Sequence, residues 1–285
     1  MMFWQKNPCR EGRSRATMGG PATRACRLAG LLLAVAGLPC LATPQGSALL
    51  DLSFDQLADI RITSVSKSSE RLAEAAASVF VITGDDLRRS GVASLPEALR
   101  LAPNLQVAEA SAYGYTISAR GFNSSAANKL LVLIDGRSVY TPLFSGVFWD
   151  EPDVMLEDVE RIEVISGPGG TLWGVNAVNG VINIITRHAD DTHGDLLTLR
   201  GDSDGAQAAF RHGAGGQDHG WRRSWRVYGK VFGLGHGELA SGKPVDDAWT
   251  QGQVGFRADW ERGDDRFGVN GNAWRGRQGQ PAPGA

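Results

Sequence analysis

The stretch that decides the fold runs from Val159 to Thr186: VERIEVISGPGGTLWGVNAVNGVINIIT. Two β-prone runs flank a loop, with five glycines (Gly167, Gly169, Gly170, Gly174 and Gly180) in the stretch. A glycine-rich loop after a strand can cradle phosphate, but a phosphate loop also needs Lys-Ser/Thr and then a helix. Here GPGG leads through TLWGVNAVNG into a second strand, and no Lys or Arg lies between Arg161 and Arg187. Backbone N–H groups alone would bind an anion weakly. The glycines therefore read as devices for tight turning and close backbone approach. The acids around the first run (Glu157, Asp158, Glu160 and Glu163) are read as an outward, solvated face.

Upstream of this stretch the text is that of a compact α/β module. VFVI (Val79–Ile82) is a buried-strand candidate. Thr83 opens TGDDLRRSG as a helix start, and Gly91 fits its end. Ser94 and Glu97 read as a capping box, with Leu95, Ala98, Leu99 and Ala102 on one face and Pro103 as the stop. TISARG, LLVLIDG, RIEVISG and GVINIIT are further strands. Runs such as LLVLI imply strands covered on both faces. The expectation is a small mixed sheet with short helices packed on it.

Downstream, from Asp195, Gly/Asp clusters separate long alternating runs. In TQGQVGFRADW, Thr250, Gly252, Val254, Phe256, Ala258 and Trp260 fall on one face, and Gln251, Gln253, Gly255, Arg257 and Asp259 on the other. RFGVNGNA repeats the pattern. WRRSWRVYGKV alternates too, with Trp221, Trp225, Val227 and Val231 on its apolar side and Arg223 interrupting it. Long two-faced runs with aromatics near their ends are the mark of outer-membrane barrel strands. A soluble antiparallel sheet with one wet face alternates in the same way.

The N-terminus bears on that choice. Residues 1–42 hold six Lys/Arg against one acid, Glu11, leaving 23 basic and 30 acidic residues in the rest, a net of −7. That balance is opposite to a nucleic-acid binder's. The basic head runs into LAGLLLAVAGL (Leu28–Leu38), too short for the roughly 20 residues a membrane helix needs. Basic region, short apolar core and small residues (Cys40-Leu41-Ala42) describe a secretory signal with a cut after Ala42; a lipid anchor on Cys40 fits less well because Pro39 precedes it. Cys9, Cys26 and Cys40 all lie in this leader, so the mature chain has no cysteine for a disulfide, a thiolate site or a nucleophile. Residues 43–70 read as a linker, in which Ile62-Thr63-Ser64-Val65-Ser66 is β-prone. That segment is either a first strand or a peptide that pairs with a partner's sheet edge.

No enzyme chemistry is signalled. His188, His193, His212, His219 and His236 fall in loops or on polar strand faces without metal-ligand spacing. No Gly-x-Ser-x-Gly elbow occurs.

ARGFNSSAANKLLVLIDGRSVYTPLFSGVFWD (Ala119–Asp150), followed by LEDVERIEVISGPGGTLWGVNAVNGVINIITR (Leu156–Arg187), resembles the plug domain of TonB-dependent outer-membrane receptors of the siderophore or iron-complex type. The likeness covers roughly Arg61 to Arg187. Its motif residues in this chain are Arg120, Gly121 and Phe122; Asp135, Gly136 and Arg137; Arg161, Glu163, Gly167 and Pro168; and Gly174, Gly180 and Asn183. The resemblance implies an α+β plug followed by the start of an antiparallel transmembrane β-barrel, divided as signal peptide 1–42, periplasmic linker 43–70, plug 71–190 and barrel strands 191–285. It implies an outer-membrane transporter, not an enzyme, with no cofactor. Its partners would be outer-membrane lipid, an iron chelate or similar ligand, and TonB with its ExbB/ExbD energising complex. TonB would add a strand to a short peptide, the TonB box, here placed at Ile62–Ser66. Plug-apex candidates for facing ligand are Tyr113, Tyr115, Phe122, Tyr140, Phe144 and Trp149, for which packing against the barrel wall is the competing role. Five strands cannot close a barrel, so the expectation is a gene fragment or truncated reading frame, unless the chain is a stand-alone periplasmic plug-like module.

Overall fold

The structure is a computed structural model and describes residues 61–62, 70–71, 77–121, 129–141, 143, 146–174, 176–239 and 241–280. Strand β1 (Arg61–Ile62) pairs antiparallel with β2 (Glu70–Arg71). The plug sheet is built from β3 (Ser78–Thr83), β6 (Leu130–Ile134), β7 (Arg137–Ser138), β8 (Val159–Ser166) and β9 (Gly180–Thr186) in the order β3-β8-β9-β6-β7. Only β6 and β9 run parallel, so the sheet is mixed. β4 (Leu105–Glu109) and β5 (Tyr115–Ala119) form a separate antiparallel pair.

The local reasons are those of the sequence, with three adjustments. Thr83 caps the helix Gly84–Ser90 in a reciprocal box with Asp86, and Gly91 closes it at φ +70°, a conformation that glycine adopts without steric cost. Ser94 accepts from the Glu97 amide at 3.4 Å, but Glu97 turns its carboxylate to Arg100 at 2.8 Å. The cap is therefore one-sided, and the helix is a single turn, Leu95–Ala98, tightening into a 3-10 turn at Leu99–Leu101. VFVI forms β3 as expected, but at the sheet edge, so only Ile82 is fully buried. The glycine loop after β8 contains a one-turn helix, Gly170–Trp173.

Apolar side chains cover the plug sheet on both faces. Ile82, Leu130, Val132, Ile162, Val164, Ile182 and Ile184 meet the helical segments through Leu87, Leu95 and Leu99. Leu131, Leu133, Ile165 and Val181 make the second cluster with Ala177. Gly180 is required where it stands: a Cβ there would lie 2.4 Å from the carbonyl oxygen of Ile165. At the β6–β7 turn, Asp135 and Gly136 both have positive φ (48° and 78°), the Asp-Gly geometry that two-residue hairpins favour.

After a 3-10 turn at Ala189–Thr192, five strands follow as a meander: β10 (Gly194–Gly201), β11 (Gly205–Asp218), β12 (Trp221–Leu234), β13 (Trp249–Arg262) and β14 (Asp265–Gln278). Every neighbour pair is antiparallel. Among the described residues this sheet does not close on itself. Two-residue turns, His219–Gly220 and Gly263–Asp264, join strands at one end. At the other, residues 202–204 and the longer 235–248 do so. Short periplasmic turns and longer external loops are the asymmetry of outer-membrane barrels.

Candidate functional site: the plug–wall seam and the plug apex

Alternation in the meander has an inverted sense compared with a soluble sheet. Leu197, Leu199, Phe210, Val227, Val231, Val254, Phe256 and Val269 are exposed, while Ser224, Arg226, Lys230, Gln251, Gln253 and Asp259 are buried. The pleat sends alternate side chains to opposite faces, so the apolar set points away from the plug and the polar set toward it. From Gly252 to Trp260 the outward run of β13 is about nine residues, the length a tilted strand needs to cross a bilayer. At the short-turn end Trp221, Trp260 and Phe267 share this outer face. Trp221 and Phe267 have ring centroids 6.0 Å apart, and the Arg262 guanidinium lies 5.7 Å from the Trp221 ring. Aromatic girdles at the headgroup level are a mark of outer-membrane barrels. His212 departs from expectation. It lies on the outward face, with its ring 5.4 Å from Trp225 and Nδ1 2.7 Å from Asp195. The register puts His212 opposite Val227, not opposite a polar partner.

The inward face meets plug acids with wall bases. Asp158 contacts Arg211 and lies 3.2 Å from Arg226 Nε, with Asp158 and Arg226 each 3% exposed. Lys230 Nζ is 2.7 Å from Asp153, and Arg200 is 3.0 Å from Glu157. Arg257 lies 3.7 Å from Asp135 and 2.9 Å from Asp259. Asp135 accepts from the Thr186 amide and hydroxyl, both at 2.8 Å. The Arg226 guanidinium donates to the Arg187 carbonyl at 2.6 Å, and the Ala189 amide donates to Asp259 at 2.7 Å. Buried charges of this kind persist only when paired and hydrogen-bonded. These contacts overturn the reading of the acids as a solvated face. Glu160 is exposed, but Asp158 and Glu163 are buried, and Glu163 accepts from Arg161 Nε at 2.7 Å. The sequence conceals this because the bases that satisfy Glu157 and Asp158 lie far down the chain, on other strands. A polar cavity of about 400 Å³ adjoins the seam, between Asp135, Asp153, Arg226, Arg257 and Trp274.

The motif residues take different places. Arg120 (φ 57°) and Gly121 (φ 78°) make the turn after β5. Asp135 joins the seam, while Arg137 is exposed in β7. Glu163 and Asn183 are cross-strand neighbours in the sheet. Gly167, at φ 123°, donates its amide to the Asn179 carbonyl at 3.1 Å, and Pro168 continues that turn. Gly174 (φ 90°) ends the short helix. Ile62 is fully buried in β1, whereas Thr63, Ser64, Val65 and Ser66 lie outside the described residues, as do Phe122 and Phe144.

Of the remaining apex candidates, Trp149 is buried in the core cluster, and Tyr115 packs against that cluster. Burial, with Glu97 and Glu109 beside it, pushes the Tyr115 hydroxyl well above its ordinary value. Tyr113 and Tyr140 are half-buried. Tyr113 sits in the turn 110–114 between β4 and β5, closed by the Ala110 amide on the Gly114 carbonyl at 2.7 Å. That turn is tied to the wall: the Ala112 amide donates to Asp247 at 2.9 Å. Asp247 and the wall bases Arg200, Arg211, Arg226 and Lys230 are the seam residues that sequence reading missed. For the four bases the available signal was their place on the polar side of the alternation.

A mixed-sheet plug docked by ion pairs on the polar face of an outward-apolar meander defines a barrel-and-plug membrane protein. Comparison with known proteins names the kind. Residues 71–181 match the TonB-dependent Receptor Plug Domain. The Vitamin B12 transporter BtuB of Vibrio vulnificus (strain CMCP6) is 33% identical over 180 residues, covering 62% of this chain and 28% of that protein. The Iron-regulated outer membrane virulence protein of Vibrio cholerae serotype O1 (strain ATCC 39541 / Classical Ogawa 395 / O395) is 39% identical over 121 residues, 40% of this chain and 18% of that one. Among solved structures, the copper transporter OprC aligns with a TM-score of 0.55 at 17% identity, over 71% of this chain and 31% of its own. The ferric yersiniabactin uptake receptor FyuA of Yersinia pestis aligns at 0.51 and 21%, over 70% and 31%. At such identities the structures show the fold alone. Residues 71–181 thus carry the match to that plug family, five antiparallel strands follow them, and the chain spans under a third of the length of the BtuB relative.

Proposed function

We propose that this chain forms the plug and first wall strands of an outer-membrane transporter that takes up an iron–siderophore or similar metal complex, driven by TonB. The observation that carries the reading is the inverted meander. Its apolar side chains face outward, and its charged ones are spent on the plug, which suits a wall in lipid around a polar lumen. The same observation disfavours a stand-alone periplasmic module, which would leave a large apolar face in water. Relatives named for vitamin B12 and for iron regulation put a corrinoid beside a ferric chelate as ligand classes, and fold alone does not choose between them. Uptake of labelled cyanocobalamin and of a ferric catecholate, each competed by the other, tests this. Saturable, energy-dependent uptake of one is expected, and no uptake of any metal complex overturns the reading.

The segment Ile62–Ser66 serves in this proposal as the TonB box, pairing as an added strand with TonB, which ExbB and ExbD energise. Val65→Pro removes a ladder donor, so it abolishes uptake and leaves ligand binding intact. Normal uptake by that variant sinks the assignment.

A further inference from the structure

One contact joins the plug to the longest described wall loop. Loop 235–248 folds on itself, with Val245 N donating to the Gly237 carbonyl and Leu239 N to the Lys243 carbonyl, at 2.8 and 2.9 Å. Asp247 near its end is 2% exposed. One carboxylate oxygen accepts from the Gly237 amide at 2.7 Å, within the loop. The other accepts from the Ala112 amide at 2.9 Å, in the plug turn that carries Tyr113. No ion pair of Asp247 is found among the described residues, so two backbone N–H groups from two separate segments hold its charge. Loop and turn both lie at the end away from the two-residue turns, the external end in a barrel of this kind.

We propose that Asp247 is a positioning residue that clamps turn 110–114 to loop 235–248 and so fixes the mouth through which ligand reaches the plug. The proposal rests on the uptake reading above. A carboxylate can accept from both amides at once. An asparagine offers one acceptor oxygen and turns an NH₂ toward the other amide. Asp247→Asn therefore keeps the shape and breaks one of the two bonds, while Asp247→Ala breaks both.

The test measures uptake of cyanocobalamin and of a ferric catecholate by the full-length protein, together with amide exchange at Ala112 and Gly237. Losing one hydrogen bond to a charged group amounts to about a tenfold change in an equilibrium constant. In Asp247→Asn the half-saturating probe concentration is expected to rise about tenfold at an unchanged maximal rate. Exchange at Ala112 or Gly237 should rise by a comparable factor, and Asp247→Ala should show a larger effect on both. Faster exchange with an unchanged half-saturating concentration overturns the proposal, as does a fall in maximal rate alone. If the wild type takes up neither probe, the corrinoid and ferric-catecholate assignments fail, and unchanged exchange in both variants then overturns the clamp independently.

Discussion

Asp158 is the residue whose removal most sharply tests the seam. Its carboxylate serves Arg211 and Arg226, the latter at 3.2 Å, and its carbonyl accepts from the Arg187 amide at 2.8 Å. Asp158→Ala would leave two guanidinium groups facing the plug without that counter-charge. Breaking one partner from a buried ion pair costs about 3–5 kcal/mol. Arg226 retains the Arg187 carbonyl and the Thr186 hydroxyl as acceptors, at 2.6 and 3.2 Å, which places the expectation near the lower end, about 3 kcal/mol. With a urea slope of about 2 kcal/mol/M, the plug's unfolding midpoint falls by about 1.5 M. The assay is urea unfolding followed by proteolysis of the plug in intact protein. Asp85→Ala is the control, because the Asp85–Arg88 pair is exposed and such pairs contribute roughly 0–1 kcal/mol. A midpoint shift for Asp158→Ala no larger than the control's would refute the claim that the seam is held by buried charge. Replacing Asp158 and Arg226 together by apolar residues should recover part of the loss, since a buried pair exchanged as a unit can be near neutral.

Two further outcomes follow from local geometry. Gly180→Ala forces a Cβ against the Ile165 backbone oxygen at 2.4 Å. Backbone yields less than a side chain, so a loss of about 1–3 kcal/mol is expected, read by the same urea assay, and a neutral substitution would contradict the packing. Partial desolvation first, then the nearby Glu97, raises the half-exposed Glu109 carboxyl above its ordinary value, with Arg100 opposing. Between its unfolded and folded values the folded state holds the extra proton, so stability of the β4–β5 pair falls as pH rises through that window. Amide exchange at Ala108 and Thr116, corrected for intrinsic rate, should show this slope above the ordinary carboxylate value. The slope should vanish in Glu109→Gln, and protection that rises with pH would refute the sign.

What the sequence revealed and what it hid follow from the range of the forces. Thr83 and Gly91 act within a few residues, so the helix they bound was readable. LLVLI is covered on both faces, and a continuous apolar run records that directly. In TQGQVGFRADW the two faces were readable, but not which one is buried, because alternation has no inherent sense. The structure resolves this by placing Gln253 inside and Val254 outside. Asp158 and Asp247 were misread or missed because their partners are not local. Arg226 lies 68 residues from Asp158 by number, and the Ala112 amide that Asp247 accepts carries no side-chain signature at all. Trp149 misleads for a related reason: an aromatic in a loop-like stretch looks available, while tertiary packing puts it in the core.

The central claim is that the meander stands in lipid with its charged face on the plug. The only cysteines, Cys9, Cys26 and Cys40, lie outside the described residues and within the expected leader, so single cysteines can be placed cleanly along β12 and β13. Spin labels at Val227, Val231, Val254 and Phe256 should collide with oxygen dissolved in outer-membrane lipid, and labels at Tyr228 and Gln253 should not. Collision with oxygen that fails to alternate along the strands, or equal access of a water-soluble relaxant to both sets, would contradict the account.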